Sequence, residues 1–518
     1  MAKESVPSNP SHAARRGYSR AWITAVIMTA AVMQIVDTTI VIVALPHMEG
    51  QLAATPDQIT WVLTSYLVSS GIMMPLTGYF TDRLGQRRYL LISILGFVTA
   101  SALCGLSASL DQIVLFRLLQ GVAGAGLMPL AQAILVNLYP GEERGRAMAI
   151  FGVGAMVGPI LGPTLGGYLT QVFSWRWTFF INLPIGIIAF IGTWLMVPDS
   201  ETRERSMDWR GFACLAVAVA AMQYTLDRGT QYGWFDSRVI QVAALVSVIG
   251  YAALIANGFM RGRRAIFDLG LFKDRNYSSS SLVFVFFMFS MYGMLTLQPM
   301  FMETLLGYPT LTTGLVLAPR GLASMLSMFV AGRLINRFGA RTLIVTGVLC
   351  TAFGTLVTTR YSLDVDVWWL IWPLLVQGFG LGLVFVPLGT VAFATLRPDQ
   401  SAEAAGVRQL VRTIAASIGT AASAAVATRE GQVAWNQLGG HINPFNGAVS
   451  GFLASLHLHE FSHRAAVVLG EVLGRQAAVR GMLDAFELFG LSLLLTLPLL
   501  LMMKKGPPRV TPVDSAID

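Results

Sequence analysis

Charge is scarce in this chain. Asp, Glu, Lys and Arg make up only 12% of its 518 residues, about half the share of roughly 25% in an ordinary soluble domain. With 54% of its residues hydrophobic, a water-soluble fold of this size could not cover its own surface. That excludes a disordered chain, a fibrous chain and a soluble enzyme. Cysteine is scarce too. Cys104, Cys214 and Cys350 each stand in an apolar run, which leaves no disulfide framework and no CxxC metal site. No P-loop is present, which argues against an ATP-driven pump. The formal charge of +8 reads as loop charge on a membrane protein and not as a nucleic-acid surface. The first 20 residues are polar and basic, without the short apolar core of a signal peptide. The first apolar run, from Ala21, is long enough to be a retained spanning helix.

Long apolar runs are what the sequence has in abundance, together with 51 glycines, which let helix backbones approach closely in a membrane. A spanning helix needs about 20 mainly apolar residues. Fourteen segments qualify, near 21–45, 58–80, 89–108, 112–138, 146–170, 177–197, 209–227, 238–260, 278–302, 312–335, 342–361, 367–395, 405–428 and 483–503. The expected fold class is an all-α polytopic membrane protein. An even number of spans puts both termini on one side. Placing the N-terminus in the cytoplasm puts 26 of the 36 Lys and Arg residues in inner segments, as the positive-inside rule requires. Arg408 and Arg412 are counted among them.

An internal repeat divides the chain. Gly78-Tyr-Phe-Thr-Asp82-Arg83-Leu-Gly85-Gln-Arg87 recurs as Gly332-Arg-Leu-Ile-Asn336-Arg337-Phe-Gly339-Ala-Arg341, 254 residues later. Gln120-Gly121 in the fourth span is echoed by Gln377-Gly378 in the twelfth. The expected organisation is a cytoplasmic tail (1–20), a six-helix half (21–200), two extra helices (201–275), a second six-helix half (276–503) and a cytoplasmic tail (504–518). Within the second half, 429–482 is expected to be a hydrophilic periplasmic loop. Two repeats around a central site suit a transporter.

The motifs resemble one family. GYFTDRLGQRR is similar to the cytoplasmic loop motif of the major facilitator superfamily, and Arg117-Leu-Leu-Gln120-Gly121 resembles its R-x-x-Q-G motif. Gly158-Pro-Ile-Leu-Gly162-Pro163-Thr-Leu-Gly166-Gly167 resembles the motif associated with antiporters. Val36-Asp37-Thr-Thr-Ile-Val-Ile42-Val-Ala-Leu-Pro46 resembles the first-span motif of the fourteen-helix drug:proton antiporters, with Val36 where Leu is usual and Ile42 where Asn is usual. Arg176-Trp177-Thr-Phe-Phe-Ile-Asn182-Leu-Pro184, Leu226-Asp227-Arg228-Gly229 and Ile442-Asn443-Pro444-Phe445-Asn446 are similar to EmrB-like exporters of Gram-negative inner membranes. The resemblance implies a major facilitator fold and a proton gradient as energy source, with no cofactor. It also implies a periplasmic adaptor (membrane fusion protein) and a TolC-type outer-membrane channel as partners.

Several residues stand out by their chemistry. A charge at the membrane centre costs about 2.5–3.5 kcal/mol on insertion scales, so an embedded acid marks a functional site by default. Asp37, midway along the first span, is therefore either a proton-coupling or substrate-binding acid or a permanently paired structural one. Arg117 is its natural partner. Glu303 and Asp227, near outer span ends, are further coupling candidates. Arg320 in the tenth span either meets an anionic substrate or neutralises a carboxylate. Gln34, Gln120, Gln223, Gln298 and Gln377 suit a cavity wall. Gly78, Asp82, Arg83, Gly85, Arg87 and Arg337 form the two conformational loops, with Asp82 and Arg83 as a latch between helix ends. Gly162, Pro163 and Gly166 read as a hinge in the fifth span. His459-Glu460-Phe461-Ser462-His463 fits the zinc-protease pattern H-E-x-x-H, without a third ligand nearby, and reads better as part of amphipathic helices over 452–482 at the periplasmic face. The expected function is proton-coupled export of hydrophobic or amphipathic drugs and toxic small molecules from the inner membrane. The alternatives are a dedicated metabolite or siderophore exporter and, more remotely, a membrane metalloenzyme.

Overall fold

The computed structural model describes residues 19–139, 143–204, 206–262, 265–443, 446–458 and 462–500, with side chains at all of these except 56, 57, 159, 160, 163 and 310. The described residues contain helices and no strands, as a lipid environment demands, since a helix satisfies its backbone internally. The long helices are α1 (Arg20–Gln51), α2 (Trp61–Met73), α3 (Gln86–Leu106), α4 (Leu110–Leu138), α5 (Arg144–Val172), α6 (Trp177–Met196), α7 (Trp209–Arg228) and α8 (Arg238–Arg261). They continue with α9 (Arg275–Met300), α10 (Thr310–Phe338), α11 (Ala340–Val357), α12 (Val367–Ala392), α13 (Ser401–Gly439) and α14 (His463–Leu494). Short polar residues start several of them. Asp208 caps α7 by accepting from the Gly211 amide at 3.0 Å, and Asp274 caps α9 through the Tyr277 amide at 2.8 Å.

Eleven helices among the described residues are long and apolar enough to cross a membrane. The three expected spans outside that set are those around α2, α5 and α7. The second span is interrupted by a 3₁₀ turn at Met74–Leu76. Length and apolarity therefore do not establish the count of fourteen. The faces turned outward are oily, as on α10, where Leu311, Leu315, Leu322 and Leu326 are each more than 60% exposed. An exposed apolar stripe of this kind is matched to lipid and not to water.

Two expectations are corrected. Residues 429–482 are helical beyond the stretch 452–482 where helix was expected. α13 runs on to Gly439, and α14 begins at His463, so both helices extend past the expected span ends and pack on each other. Only the short helix Gly447–Ser455 and its flanks lie between them. A helix keeps its own hydrogen bonds after leaving lipid, so polar residues do not end it. Secondly, Arg408 and Arg412 are not loop residues. Both stand on α13 within the bundle, and Arg408 is only 3% exposed. His459, Glu460, Phe461, the pair Pro444 and Phe445, and nearly all of both tails lie outside the described residues.

The two halves of the repeat meet at one end. The largest hydrophobic core draws on both, from Phe151 and Met148 of α5 to Met328 of α10 and Phe385 of α12. Two smaller cores lie toward the other end. One contains only first-half residues, including Val36, Ile40 and Phe179. The other contains only second-half residues, including Leu297, Phe301 and Phe486. The joined end is the one carrying the repeated basic loops. There Ser401 bonds Asn137 Oδ1 at 3.0 Å, Arg144 donates to the Phe393 carbonyl at 2.7 Å, and Arg203 pairs with Asp399 at 3.3 Å. The halves are closed at the basic-loop end and have separate cores at the opposite end.

Candidate functional site

The first-half core encloses a polar cluster built from four helices. Asp37 on α1 and Arg117 on α4 are both 0% exposed. Arg117 Nη1 donates to Asp37 Oδ2 at 2.7 Å. Asp37 Oδ1 accepts from Gln120 Nε2 at 3.0 Å and from Asn182 Nδ2 at 2.6 Å. Arg117 Nη1 also reaches Gln120 Oε1 at 2.8 Å, and its Nε donates to the Val62 carbonyl of α2 at 3.0 Å. The guanidinium lies over the Tyr66 ring, 4.4 Å from its centroid. Tyr66 in turn accepts from Gln34 Nε2 at 3.2 Å, and Gln34 Oε1 accepts from the Met128 amide. The structure thus brings Asp37, Arg117, Gln120 and Gln34 together in one buried cluster.

The spacing explains the convergence. Arg117 and Gln120 are three apart on α4 and share a face. Gly121 beside them lets α2 come close: a Cβ there would lie 2.6 Å from the Tyr66 carbonyl oxygen. On α1 the face one residue pair away is taken up by α5. A Cβ on Gly162 would lie 2.1 Å from Thr39 Oγ1, and one on Gly166 would lie 2.8 Å from the Ile40 carbonyl oxygen. The glycine run therefore makes the close helix contact expected of it, between α1 and α5 within one half, and α5 runs unbroken through position 163. The side chain of Pro163 is outside the description.

Chemically, the cluster is an ion pair that ties α1, α2, α4 and α6 to one charge state. A buried pair of this kind is weak evidence for net stability, but removal of one partner leaves the other charge unsolvated. A proton on Asp37 would remove the carboxylate that fixes Arg117, while Arg117 Nη2 and Asn182 Oδ1 already lack partners. The sequence offers Asn182 only as part of a family-like motif and not as a site residue, and it offers Tyr66 nowhere. Asn182 carried a signal, an amide inside the apolar run from Trp177 to Phe190. Tyr66 carried none.

The second half holds a pseudo-equivalent cluster. Gln298 Nε2 on α9 donates to Gln377 Oε1 on α12 at 3.0 Å, Gln377 Nε2 donates to the Gly354 carbonyl, and Arg320 Nη1 on α10 donates to Gln298 Oε1 at 2.8 Å. Elsewhere the expected residues disperse. Gln223 and Asp227 belong to α7, where Asp227 accepts from Thr64 at 2.7 Å and from Gln223 at 2.9 Å, and Ser417 of α13 donates to Gln223. Asp227 lines a cavity of about 300 Å³ with Trp61 and Tyr224. Glu303 is exposed on the π-helical turn Phe301–Leu305, away from both clusters.

The two loop motifs share a backbone. Gly85 has φ 82° and ψ 154°, and Gly339 has φ 80° and ψ 152°. Essentially only glycine adopts that region, which is why the motif keeps it twice. A Cβ on Gly78 would lie 2.7 Å from the Glu403 Cβ, so α13 crosses there at close range. Arg87 pairs with Asp199 at 3.1 Å. Arg83 donates to Tyr79 of its own helix, and the Asp82 carbonyl accepts from the Arg203 amide. Arg337 lies against the Phe338 ring. Among the described residues, no three His, Cys, Asp or Glu side chains are grouped to hold a metal.

Comparison with known proteins adds the lineage. The family model for the Major Facilitator Superfamily matches residues 27–420. The fatty acid resistance protein FarB of Neisseria gonorrhoeae is 32% identical over 500 residues, covering 95% of this chain and 97% of that protein. The multidrug export protein EmrB of Escherichia coli K12 is 34% identical over 429 residues, covering 82% and 83%. Among solved structures, the human organic anion transporter MFSD10 (TETRAN) superposes with a TM-score of 0.63 at 16% identity, covering 93% of this chain and 99% of that one.

Proposed function

The chain belongs to the major facilitator superfamily, in its EmrB-like branch, and from that membership we propose that it is a proton-coupled antiporter exporting hydrophobic or amphipathic drugs and other toxic small molecules across the inner membrane. It is a transporter and not an enzyme. The names of its relatives, multidrug export and fatty acid resistance, support the substrate range. In this reading fourteen helices cross the bilayer with both termini in the cytoplasm, two six-helix halves (21–200 and 276–503) rock about a central cleft, and helices α7 and α8 are the inserted pair. The basic-loop end is then cytoplasmic, and the closed end makes this the outward-facing state. A periplasmic adaptor and a TolC-type channel continue the path outward, with the projecting ends of α13 and α14 as the adaptor's contact.

The observation that carries the reading is the Asp37–Arg117 pair. A carboxylate with 0% exposure inside a spanning helix is costly and marks ion or proton pathways. A proton entering from the periplasm neutralises Asp37 and frees Arg117 from it. Helices α1, α2, α4 and α6 lose their common charge and the halves repack. Drug binding from the inner side follows release of the proton. Each charge crossing 100 mV gains about 2.3 kcal/mol, an adequate drive. The test is proton release from everted inner-membrane vesicles on adding candidate drugs. Drug-dependent flux is expected for the wild type and background flux for Asp37→Asn. Flux unchanged in that variant would move coupling to another acid, and no drug-dependent flux in the wild type would sink antiport.

A further inference from the structure

Helices α13 and α14 lie side by side over their outer stretches, and small residues hold them close. A Cβ on Gly481 would collide with the Ala427 carbonyl oxygen, and one on Gly474 would lie 3.1 Å from the Trp435 ring. α13 starts at Ser401, at the basic-loop end. Position 431 is therefore about 45 Å along it at 1.5 Å per residue, whereas the hydrocarbon core of a bilayer is about 30 Å thick. In the proposed orientation this part of the pair stands beyond the outer surface of the membrane core.

There the two helices border a groove of about 570 Å³, within the range of about 300–1,000 Å³ that holds drug-sized ligands. The room comes from Gly431, Gly474 and Ala478, which fill little of it. Met300, the last residue of α9, lines it from a third helix.

The two walls differ in chemistry. Thr428, Gln432 and Asn436 follow one another at four-residue spacing on α13, so they share a face, and all three line the groove. Among the described residues their side chains have no hydrogen-bond partner. Trp435 lines the same wall and is 42% exposed. The α14 wall, from Gly474 to Met482, is apolar. Among the described residues no charged side chain lines the groove. Arg475, beside Gly474, is engaged elsewhere, donating to the Leu305 carbonyl at 3.0 Å.

This arrangement selects a ligand by its shape and charge. A flat ring stacks on the indole and lies against the apolar wall. A polar edge meets the hydroxyl and the two amides. A net charge is disfavoured, because its desolvation would be offset by no opposite charge in the groove.

We propose that this groove is a second, outer binding site of the exporter, for uncharged, ring-bearing amphiphiles that have left the cleft between the halves. The inference rests on the export reading. The site lies within the surface given above to the adaptor, so a molecule held here is within reach of the next component.

The test uses the full-length protein in phosphatidylcholine nanodiscs, with no proton gradient. With Cys104, Cys214 and Cys350 replaced by serine, Ala478→Cys puts a thiol on the apolar wall, and N-ethylmaleimide reads its accessibility. Naphthylmethanol is the probe, and naphthoate and naphthylmethylammonium carry the same ring with either charge. Naphthylmethanol should slow alkylation at position 478 saturably, and the two ions should need concentrations about tenfold higher. Trp435→Ala should raise the naphthylmethanol concentration required by about tenfold, and Gln432→Leu, similar in size but without the amide, should raise it too. Trp435 and Gln432 are exposed, so both variants should elute as wild type in size exclusion. Val472→Cys is the control thiol. Val472 is exposed and lies about 160° around α14 from Gly474, so its alkylation should not respond to the probe. No protection of position 478 by naphthylmethanol, equal protection by all three compounds, or protection that survives both substitutions overturns the proposal. Binding here needs no gradient, so the drug-dependent proton flux of the wild type, measured separately, distinguishes a failed outer site from a failed exporter.

Discussion

At the scale of single residues, the Asp37–Arg117 pair has two separable jobs, structure and coupling. Both charges are fully buried, so neutralising one strands the other, a loss of about 3–5 kcal/mol. Asp37→Asn should therefore lower thermal stability, and Arg117→Gln should do the same. The double variant removes both charges and should be more stable than the sum of the two single losses implies. If the acid also couples protons, the double variant folds and still moves no protons in response to drug. A double variant that both folds and couples would reduce Asp37 to a structural acid. How far this site was readable depended on polarity against background. Asp37 and Arg117 are visible because charge inside a 20-residue apolar run is costly. Tyr66 was invisible because an aromatic in such a run is ordinary. That Arg320 meets Gln298 and no carboxylate among the described residues was invisible because it is a property of neighbours and not of a residue.

At the scale of elements, glycine position decides packing. Gly162 and Gly167 sit five residues apart on α5. A Cβ on Gly162 collides with Thr39 on α1, while one on Gly167 meets nothing within 4 Å. Gly162→Leu should prevent the α1–α5 contact and abolish folded protein in a size-exclusion assay. Gly167→Ala should leave both yield and transport intact. Equal behaviour of the two variants would show that the glycines serve helix propensity and not contact. The helices themselves were legible from apolar length, and the repeat from its two basic loops. The outer part of α14 falls within the helix expected over 452–482. The outer part of α13 was not legible, because Arg429, Glu430, Gln432 and Asn436 read as solvent-exposed loop. They are solvent-compatible, but on a helix, and apolarity reports only where lipid ends. In the same way α2 and α7 match expected spans yet fall short by apolar length, since a helix packed among others does not need a wholly apolar circumference.

At the scale of the whole molecule, the arrangement of cores states which end must move. One core joins the halves and two do not. In the proposed alternation of the halves, the joined end comes apart for the opposite state to form, since interfaces between packed bodies are bistable. Among the described residues, the polar contacts across it include Arg203–Asp399, a surface pair worth under about 1 kcal/mol, the single Ser401–Asn137 hydrogen bond, with Ser401 buried, and the Arg144 contact to the Phe393 carbonyl. The larger resistance is apolar, where Phe151 stacks on Phe385 across the seam with centroids 6.5 Å apart. A cross-link at this end should therefore stop the cycle without disturbing the fold. With Cys104, Cys214 and Cys350 replaced, cysteines at the exposed positions 203 and 399 are expected to react rapidly with a short bifunctional thiol reagent bearing a cleavable disulfide. Transport should fall to background on cross-linking and return on reduction. Active pumping before the reagent is added should slow the reaction, because part of the population then has this end open. Full transport by cross-linked protein would mean that the seam does not open, and that the substrate leaves by some route other than alternation of the two halves.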